Sequence, residues 1–250
     1  MGIGESIRRK FEGTRLEPVV EGVRRARWPR LWRVGRRDHE ALHTVLPFLL
    51  RRGSNCVDVG ANQGEMLEEF TRLAPHGTHI AFEPLPHQAA SLRKRFPGIT
   101  VNEMAVSDQS GETTFFHTLG DDAYSGLKRT NGAPRITGVQ EIKVTLTRLD
   151  NALPKNYMVD LLKIDVEGAE LAVLRGGKAT LARCRPIVIF EFQKERAVSY
   201  GDSPKPYFDL LCTELGYTLF RVDGVGPLSL EQFEQVFEAG DCFNFIARQT

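Results

Sequence analysis

The chain has 250 residues, of which 41% are hydrophobic and 26% are charged, proportions typical of a globular protein with one large core. No apolar run approaches the length of a membrane-spanning helix, and the N-terminus lacks the apolar segment of a signal peptide, so we expect a cytoplasmic protein. The cysteines lie far apart within apolar stretches and form no C-x-x-C pair, which indicates reduced core residues rather than zinc or redox chemistry: Cys56, Cys184, Cys212 and Cys242.

The net charge of +1 hides a basic N-terminal segment. Residues 1–40 carry eleven Lys or Arg against six Asp or Glu, whereas the rest of the chain is acidic on balance. Such a segment could contact an acidic partner, nucleic acid or, peripherally, an anionic membrane surface. We favour a solvated helical extension that covers the domain. The sequence thus predicts a basic helical extension at 1–40 and one main domain at 41–250.

Residues 39–43 read H-E-A-L-H, formally the H-E-x-x-H pattern that places two imidazoles on one helix face for zinc. No downstream H-x-x-G-x-x-H supplies a third ligand, and the acidic candidates from Glu65 on belong to another predicted helix. The sequence therefore favours a partly exposed helix over about 38–51 and no metal site.

A strand, a glycine-bounded turn and a helix follow. The run V-D-V-G-A-N-Q-G at 57–64 ends an apolar strand, and apolar residues recur at helical spacing over about 65–74. Glycine at positions 60 and 64 lets the backbone turn sharply and approach a ligand, and the helix N-terminus offers unpaired N–H groups. This arrangement is typical of a nucleotide-cofactor site.

The spacing of this turn favours S-adenosylmethionine over NAD. Asn62 occupies the position where a dinucleotide loop of the type G-x-G-x-x-G needs its second glycine. Asp58 would repel a diphosphate but suits a ligand that carries an ammonium and a sulfonium. Glu83, at the tip of the next strand, is placed to accept both ribose hydroxyls.

Short apolar strands alternate with helices along most of the chain, a pattern that indicates a parallel sheet covered on both faces. Predicted strands cover about 55–59, 79–83, 100–106, 159–165, 186–192, 217–222 and 243–247. Predicted helices between them cover about 65–74, 87–96, 170–181, 206–215 and 229–239. Seven strands with a terminal hairpin-like pair predict an α/β, Rossmann-like class I methyltransferase fold.

One stretch breaks this alternation. Residues 113–117 and 141–146 alternate like antiparallel strands, and the polar segment between them is rich in Gly, Asp, Thr and Asn. A long polar segment inside a compact domain is usually a lid or binding loop, so we predict a lid-like insertion at about 111–148. Its polar residues are candidates to meet substrate: His117, Asp121, Asp122, Tyr124 and Ser125.

The fourth strand of the main series carries charges. Lys163, Asp165 and Glu167 would alternate onto one face at its carboxyl end, one strand from the glycine turn. Charges in an apolar strand are costly unless they are paired or used. Two interpretations stay open: a buried Lys163–Asp165 pair, or carboxylates placed for chemistry. Glu191, at the tip of the fifth strand, is a third acidic candidate.

Several of these runs together resemble the FkbM family of methyltransferases over roughly residues 52–195. The matching runs are V-D-V-G-A-N-Q-G (57–64), F-E-P (82–84), A-V-S-D (105–108), L-K-I-D-V-E-G-A-E (162–170) and V-L-R-G (173–176). The resemblance implies an S-adenosylmethionine-dependent O-methyltransferase that acts on a hydroxyl of a small molecule, sugar or glycolipid.

The resemblance also implies roles for individual residues. Residues implied to hold the methionine part of the cofactor are Asp58, Gly60, Asn62 and Gly64. Glu83, followed by Pro84, would hold the ribose, and the adenine would be flanked by Asn102, Ala105, Val106 and Ser107. Asp165 and Glu167 would face the methyl group, and one of them, or His117 from the insertion, would accept the proton of the attacking hydroxyl.

Other functions stay open at this point. The carboxylates could instead hold a divalent cation that lowers the pKa of the hydroxyl. A nucleic-acid methyltransferase guided by the basic arm is one rival, although no [DNS]-P-P-[YFW] motif follows the fourth strand and nucleic acid is not the expected partner. A non-catalytic nucleotide-binding module is another, and a dehydrogenase is a distant third because of Asn62.

Overall fold

Two β-sheets and their covering helices make up the part of the chain that the structure, a computed structural model, describes, namely residues 29–120, 122–129 and 138–249. The helices are α1 Pro29–Leu49, α2 Glu65–Leu73, α3 Pro86–Arg95, α4 Leu149–Ala152, α5 Glu170–Gly176, α6 Lys178–Cys184, α7 Lys194–Tyr200, α8 Pro204–Phe208 and α9 Leu230–Ala239. The strands are β1 Cys56–Val59, β2 Ile80–Phe82, β3 Thr100–Asn102, β4 Ala105–Ser107, β5 Gly111–Leu119, β6 Gly138–Arg148, β7 Leu161–Ile164, β8 Ile187–Glu191, β9 Thr218–Arg221 and β10 Asn244–Arg248.

The main sheet has the strand order β3-β2-β1-β7-β8-β10-β9. Its first five strands are parallel, and β10 runs antiparallel to both of its neighbours. All residues of β1 and β7 are buried, as expected for central strands with helices on both faces. The predicted seven-stranded, mostly parallel class I methyltransferase sheet is confirmed, and each of the seven predicted strands contributes to it.

The predicted third strand, 100–106, is wrong as a single element. Thr100–Asn102 stays in the main sheet, whereas Ala105–Ser107 pairs in parallel with β6 in a separate three-stranded sheet of order β4-β6-β5. The chain changes sheet at Glu103, whose exposed carboxylate pairs with Arg93 of α3 at 3.0 Å.

The second sheet is built from the predicted antiparallel pair. Strands β5 and β6 pair over nine residues, longer than the predicted 113–117 and 141–146. A small apolar cluster holds this hairpin beside the end of β2, formed by Leu85, Ala105, Phe115 and Val144. The hairpin therefore stands over the carboxyl end of the main sheet. Asp121 and residues 130–137 lie outside the described residues.

Helix α1 begins at residue 29 and runs through the predicted boundary between residues 40 and 41. The buried Asp38 carboxylate fixes it to the end of the sheet, because its Oδ2 accepts the backbone N–H groups of Phe243 (2.6 Å) and Asn244 (3.2 Å). The basic residues that precede position 29 lie outside the described residues. No helix of the described part is long and apolar enough to cross a membrane.

The helix predicted over about 170–181 is broken into α5 and α6 at a pair of glycines. A Cβ at Gly176 would lie 1.9 Å from the carbonyl oxygen of Ser107, and one at Gly177 would lie 2.9 Å from the Leu149 side chain. Gly176 thus lets α5 approach β4 of the second sheet, and Gly177 allows close packing against α4. The helix predicted over 206–215 begins at Pro204 and continues as a π-helix over Asp209–Glu214.

Candidate active site

The carboxyl ends of β1, β2 and β7 face one cleft, the usual ligand site of an open α/β sheet. The cleft and the solvent space at its mouth together amount to about 670 Å³. We call it the cofactor cleft. Sequence-predicted residues that line it are Gly60, Asn62, Glu83, Pro84, Ala105, Val106, Asp165 and Glu167. Asp122 and Ser125 of the hairpin also line it.

The glycine turn after β1 has three residues in the left-handed region, with φ of +86° at Gly60, +44° at Asn62 and +80° at Gly64. A Cβ at Gly60 would lie 1.9 Å from the backbone oxygen of Asp165, and one at Gly64 would lie 2.6 Å from Leu92. A side chain at either position would therefore collide with neighbouring residues of the protein, so both positions require glycine whether or not a ligand is bound. The same contact places Asp165 directly against the turn.

Glu83 joins the turn to the end of β2. Its buried carboxylate accepts the backbone N–H of Asn62 at Oε2 (2.7 Å) and that of Leu85 at Oε1 (2.9 Å). Burial raises the pKa of Glu83 to about 7, although these two hydrogen bonds act in the opposite direction. Each oxygen keeps a further lone pair for a ligand hydroxyl.

Asp58 and Lys163 are register partners on adjacent strands, and both are buried. Burial raises the pKa of Asp58 to about 6, against the opposing effect of the Lys163 charge. Burial also lowers the pKa of Lys163, and the Asp58 carboxylate opposes that shift. Lys163 Nζ lies 3.3 Å from Asp165 Oδ2. The predicted buried Lys163–Asp165 pair is thus present, and Lys163 also neighbours Asp58 across the two strands.

A second cavity of about 560 Å³, part of it open to solvent, lies beside the cofactor cleft. Its wall includes Asp58, Glu65 and Glu191, and it shares Gly60 and Asp165 with the cofactor cleft. We call it the acidic cavity. Glu191 Oε1 accepts a hydrogen bond from Gln193 at 2.7 Å, whereas Oε2 is buried with no hydrogen-bond partner among the described residues.

Glu167 sits in the left-handed region at φ +63° and forms an ion pair with the buried Arg196 of α7. The Arg196 guanidinium in turn lies 5.5 Å from the Tyr124 ring centroid. The buried Glu170 carboxylate supports this turn by accepting the N–H groups of Val166 (3.0 Å) and Gly168 (3.1 Å). The turn that carries Asp165 is therefore rigidly supported.

Five sequence-predicted site residues of the described part line neither cavity: Gly64, Asn102, Ser107, His117 and Tyr124. Asn102 supports β2 through its backbone oxygen, which accepts the N–H of Glu83 at 3.0 Å. His117 does not line the cofactor cleft itself. Its Nε2 instead pairs at 2.8 Å with Oδ1 of Asp122, which does.

Two groupings of side chains in the structure have no counterpart among the sequence predictions. Arg196, in a helix that was not predicted, neutralises Glu167; an arginine shortly after the fifth strand was the available signal. In the second grouping, His39 and His43 of α1 both approach Glu65 Oε1, at 3.3 Å and 3.1 Å. The H-E-x-x-H spacing was the signal, and the third ligand was dismissed because it lies on a different helix.

The residues present fit S-adenosylmethionine. Asn62 Oδ1 is buried with no hydrogen-bond partner among the described residues and lies in the wall of the cofactor cleft. Glu83 offers hydrogen-bond acceptors for the two ribose hydroxyls. Apolar side chains such as Val106 and Phe115 can cover the flat adenine ring. Asp58 and Asp165 offer negative charge to the ammonium and the sulfonium of the cofactor. The fold and this site define a class I methyltransferase.

The chain belongs to the FkbM methyltransferase family: residues 58–219 match the methyltransferase FkbM domain. The predicted family and the prediction of an S-adenosylmethionine-dependent methyltransferase are confirmed. Helix α1 precedes the matched region.

Two curated relatives and one solved structure illustrate the similarity. The chain is 29% identical over 214 residues to the 2-O-methyltransferase NoeI of Sinorhizobium fredii, covering 79% of this chain and 83% of that protein. It is 33% identical over 172 residues to the 31-O-demethyl-FK506 methyltransferase FkbM of Streptomyces tacrolimicus, covering 56% of this chain and 65% of that protein. A methyltransferase FkbM from Methylobacillus flagellatus superposes with a TM-score of 0.50 at 15% identity, covering 80% of this chain and 44% of the other.

Proposed function

We propose that this protein transfers the methyl group of S-adenosylmethionine to a hydroxyl of a small molecule or glycan. The observation that carries the proposal is the position of Asp165, which lies in the wall of both cavities where they meet. A cofactor in one cavity and an acceptor in the other would bring their reacting atoms together beside this carboxylate. The names of the two curated relatives, both O-methyltransferases, support a hydroxyl acceptor.

In this proposal the cofactor supplies a methyl group already activated by a sulfonium. Glu83 binds the ribose hydroxyls, with Pro84 beside it, and Ala105 and Val106 cover the adenine. Gly60 and Asn62 surround the methionine part, which Asp58 approaches from the wall of the adjoining acidic cavity, while Gly64, Asn102 and Ser107 act indirectly through the backbone. The chain's main contribution is to position the acceptor in line, because displacement at a sulfonium-activated carbon needs mostly orientation.

We assign the proton-accepting role to Asp165 rather than Glu167 or His117. Glu167 is held in an ion pair with the buried Arg196, and His117 is bound to Asp122. Asp165 also has a cationic neighbour in Lys163, but it borders the acidic cavity, which neither of the other two does. Arg196 and Glu167 then act as positioning residues.

A magnesium-type cation at the carboxylates is the alternative chemistry. Carboxylate oxygens of Asp165, Glu167 and Glu191 lie within 4.8 Å of one another. Lys163 and Arg196 already compensate two of these charges, so we propose a metal-independent proton transfer at this point. Full turnover in excess chelator is expected. Loss of turnover that Mg²⁺ restores and Zn²⁺ does not would contradict this.

Substitution of Asp165 by Asn tests the proposed base. With a panel of hydroxyl acceptors and detection of the methylated product, Asp165→Asn is expected to lower kcat by roughly 10²–10⁴-fold. S-adenosylmethionine should still bind to the variant in calorimetry, which shows that the variant is folded, although with lower affinity because one negative charge beside the sulfonium is lost.

Glu167→Gln is the matched comparison, because it removes a carboxylate from the same turn. It should lower kcat less than Asp165→Asn does and should alter KM as well, since it releases Arg196. Equal loss in both variants would remove the assignment of the base. Cofactor binding without methyl transfer to any acceptor would favour a non-catalytic module, and transfer to nucleic acid that depends on residues 1–40 would favour the other rival.

We further propose that the β5–β6 hairpin covers the cofactor, as a lid-like insertion would. Asp122, Ser125 and Phe115 of this region line the cofactor cleft, which supports that role. The basic extension at 1–40 and a cytoplasmic location stay predictions from the sequence.

A further inference from the structure

Two histidines of α1 and one glutamate of α2 converge on one point. His39 Nε2 lies 3.3 Å and His43 Nε2 lies 3.1 Å from the same atom, Glu65 Oε1. The imidazole centroids are 4.2 Å apart, and one ligand atom from each residue falls within a group no wider than 4.8 Å. The side chains are largely buried, with exposed fractions of 23% for His39, 29% for His43 and 8% for Glu65.

These distances match the edge of a tetrahedral zinc site. Bonds of about 2.0–2.1 Å from zinc to nitrogen or oxygen, at tetrahedral angles, place ligand atoms about 3.3–3.4 Å apart. The two observed nitrogen–oxygen separations are within about 0.3 Å of that edge. Two imidazoles and one carboxylate suit Zn²⁺ or a similar first-row ion better than Mg²⁺ or Ca²⁺, which prefer oxygen ligands.

A second carboxylate stands behind one imidazole. Glu69 Oε1 lies 3.5 Å from His43 Nδ1, on the side of the ring opposite Glu65. Histidines that bind metal usually direct their other ring nitrogen to a carboxylate or carbonyl, which fixes the tautomer. Glu40, the acidic residue of the H-E-x-x-H pattern, instead pairs with Arg36 on the exposed face of α1 at 3.0 Å. The arrangement therefore lacks the glutamate base of a metalloprotease.

We propose that His39, His43 and Glu65 bind a zinc-type divalent cation that fastens α1 to α2. His39 and Glu65 also line the acidic cavity, so the ion lies in the wall of that cavity and lowers its negative charge. Helix α1 lies outside the FkbM-matched region 58–219, and the ion would tie it to the first helix of that region.

A second cluster of similar composition does not have this geometry. His87 and His117 approach different oxygens of Asp122, at 2.7 Å and 2.8 Å, and Gln88 donates to one of the same oxygens at 2.7 Å. His43 and Glu65 also share a hydrogen bond, at 3.1 Å, but in the Asp122 cluster the two imidazoles approach no common atom and the Gln88 amide already occupies one of the oxygens. The Asp122 cluster is therefore a hydrogen-bonded clasp, and it serves as the internal comparison.

The test is metal binding by tag-free, full-length protein stripped with a chelator. Zn²⁺ is titrated by calorimetry, and Co²⁺ is titrated by visible absorption as a probe of coordination geometry. We expect one equivalent to bind, with an intense low-symmetry cobalt spectrum. His43→Ala and Glu65→Gln should each weaken binding by at least 100-fold, and Glu69→Gln by about 10–100-fold.

His76→Ala is the matched control, because it removes an exposed imidazole outside the cluster and should leave the affinity unchanged. If His43→Ala does not fold, His43→Gln keeps a hydrogen-bonding side chain without the imidazole and should show the same loss. Zn²⁺ should also raise the melting temperature of wild type but not of Glu65→Gln.

Absence of saturable binding to wild type would overturn the proposal, as would binding that survives His43→Ala and Glu65→Gln. Binding lost only in His117→Ala would assign the ion to the Asp122 clasp and would also overturn it. Titration of S-adenosylmethionine with and without chelator separates this outcome from failure of the proposed function, because the cofactor cleft contains none of the three ligands.

Discussion

The close contact between Gly60 and Asp165 ties the cofactor turn to the proposed base. A side chain at position 60 would collide with the backbone of the β7 turn, and a residue there would also have to adopt a φ of +86°. The glycine therefore lets the turn after β1 lie directly against the backbone of Asp165, in the wall that the two cavities share.

Gly60→Ala is expected to lower the free energy of unfolding by more than about 2 kcal/mol, because a non-glycine residue is strained at this φ and the backbone of β7 cannot yield. Urea unfolding and calorimetric titration with S-adenosylmethionine measure the two consequences. Gly98→Ala is the control, since a Cβ there meets nothing within 4 Å, and its effect should stay within about 0.5 kcal/mol. Equal effects of the two substitutions would contradict the argument.

Glu83 combines a structural and a binding role. Glu83→Ala should weaken S-adenosylmethionine binding by about 1–3 kcal/mol, because the N–H groups of Asn62 and Leu85 lose their acceptor and the ribose hydroxyls lose theirs. Burial raises the pKa of Glu83 to about 7, so the ionised form that accepts both hydroxyls prevails only above that pH. Wild-type affinity should therefore rise as the pH is raised through about 7.

Calorimetry of wild type and Glu83→Ala with S-adenosylmethionine, S-adenosylhomocysteine and NAD checks this prediction. NAD is expected not to bind to either protein. An affinity for S-adenosylmethionine that is the same in both proteins would remove Glu83 from the ribose site.

At the scale of elements, the β5–β6 hairpin is joined to α3 by one carboxylate. Asp122 accepts hydrogen bonds from His117 of β5 and from His87 and Gln88 of α3. Burial would raise the pKa of Asp122, but these hydrogen bonds outweigh it and hold the pKa below its usual range. The carboxylate thus stays ionised while it holds the hairpin over the cofactor cleft.

Asp122→Asn should loosen the hairpin, because an amide has one oxygen acceptor where the carboxylate uses two. We expect faster hydrogen exchange in residues 111–119 and a several-fold increase in KM for S-adenosylmethionine. Asp209→Asn is the control, since it removes an exposed ion pair with Lys205 that lies outside both cavities. Unchanged exchange in the hairpin would show that Asp122 is not the clasp.

At the scale of the whole molecule, the pKa values of three buried carboxyl groups are shifted in the same direction. Burial is the main cause in each case, and it raises the pKa of Asp58 to about 6 and the pKa values of Glu83 and Glu170 to about 7. Over the range from about pH 4.5 to about pH 7, the folded protein therefore binds more protons at these sites than the unfolded chain does. Linkage then requires that their contribution to stability is present at low pH and is lost as the pH rises through this window.

Stability measured by urea unfolding should accordingly fall between about pH 5 and about pH 7.5, by up to about 1.4 kcal/mol per pH unit for each such group. Glu170→Gln should flatten this dependence, because the amide stays neutral at every pH. Glu195→Gln, at an exposed position, should leave the slope unchanged. A stability that rises over this range in wild type would contradict the three shifts.

Much of the cofactor site could be predicted because its signals are local. The strand–glycine turn–helix at 57–74, Glu83 at a strand tip and the K-I-D-V-E-G-A-E run each occupy a few consecutive residues whose periodicity and polarity need no distant contact. Seven alternating strands then predict that their carboxyl ends meet, since parallel strands of one sheet share that edge. Fold class, family and the type of cofactor followed from the sequence by itself.

The tertiary structure decided which side chains from distant parts of the chain meet. Glu65 meets His39 and His43 only because α1 and α2 pack together at that point. Arg196 reaches Glu167 from a helix that the periodicity of the sequence did not indicate. The predicted third strand divides between two sheets. Gly60 lines the cofactor cleft, and only the structure shows that the space for a side chain there is taken by the backbone of Asp165. These facts depend on helix crossings and on loop paths, which the packing of the whole core fixes and no short stretch of sequence encodes.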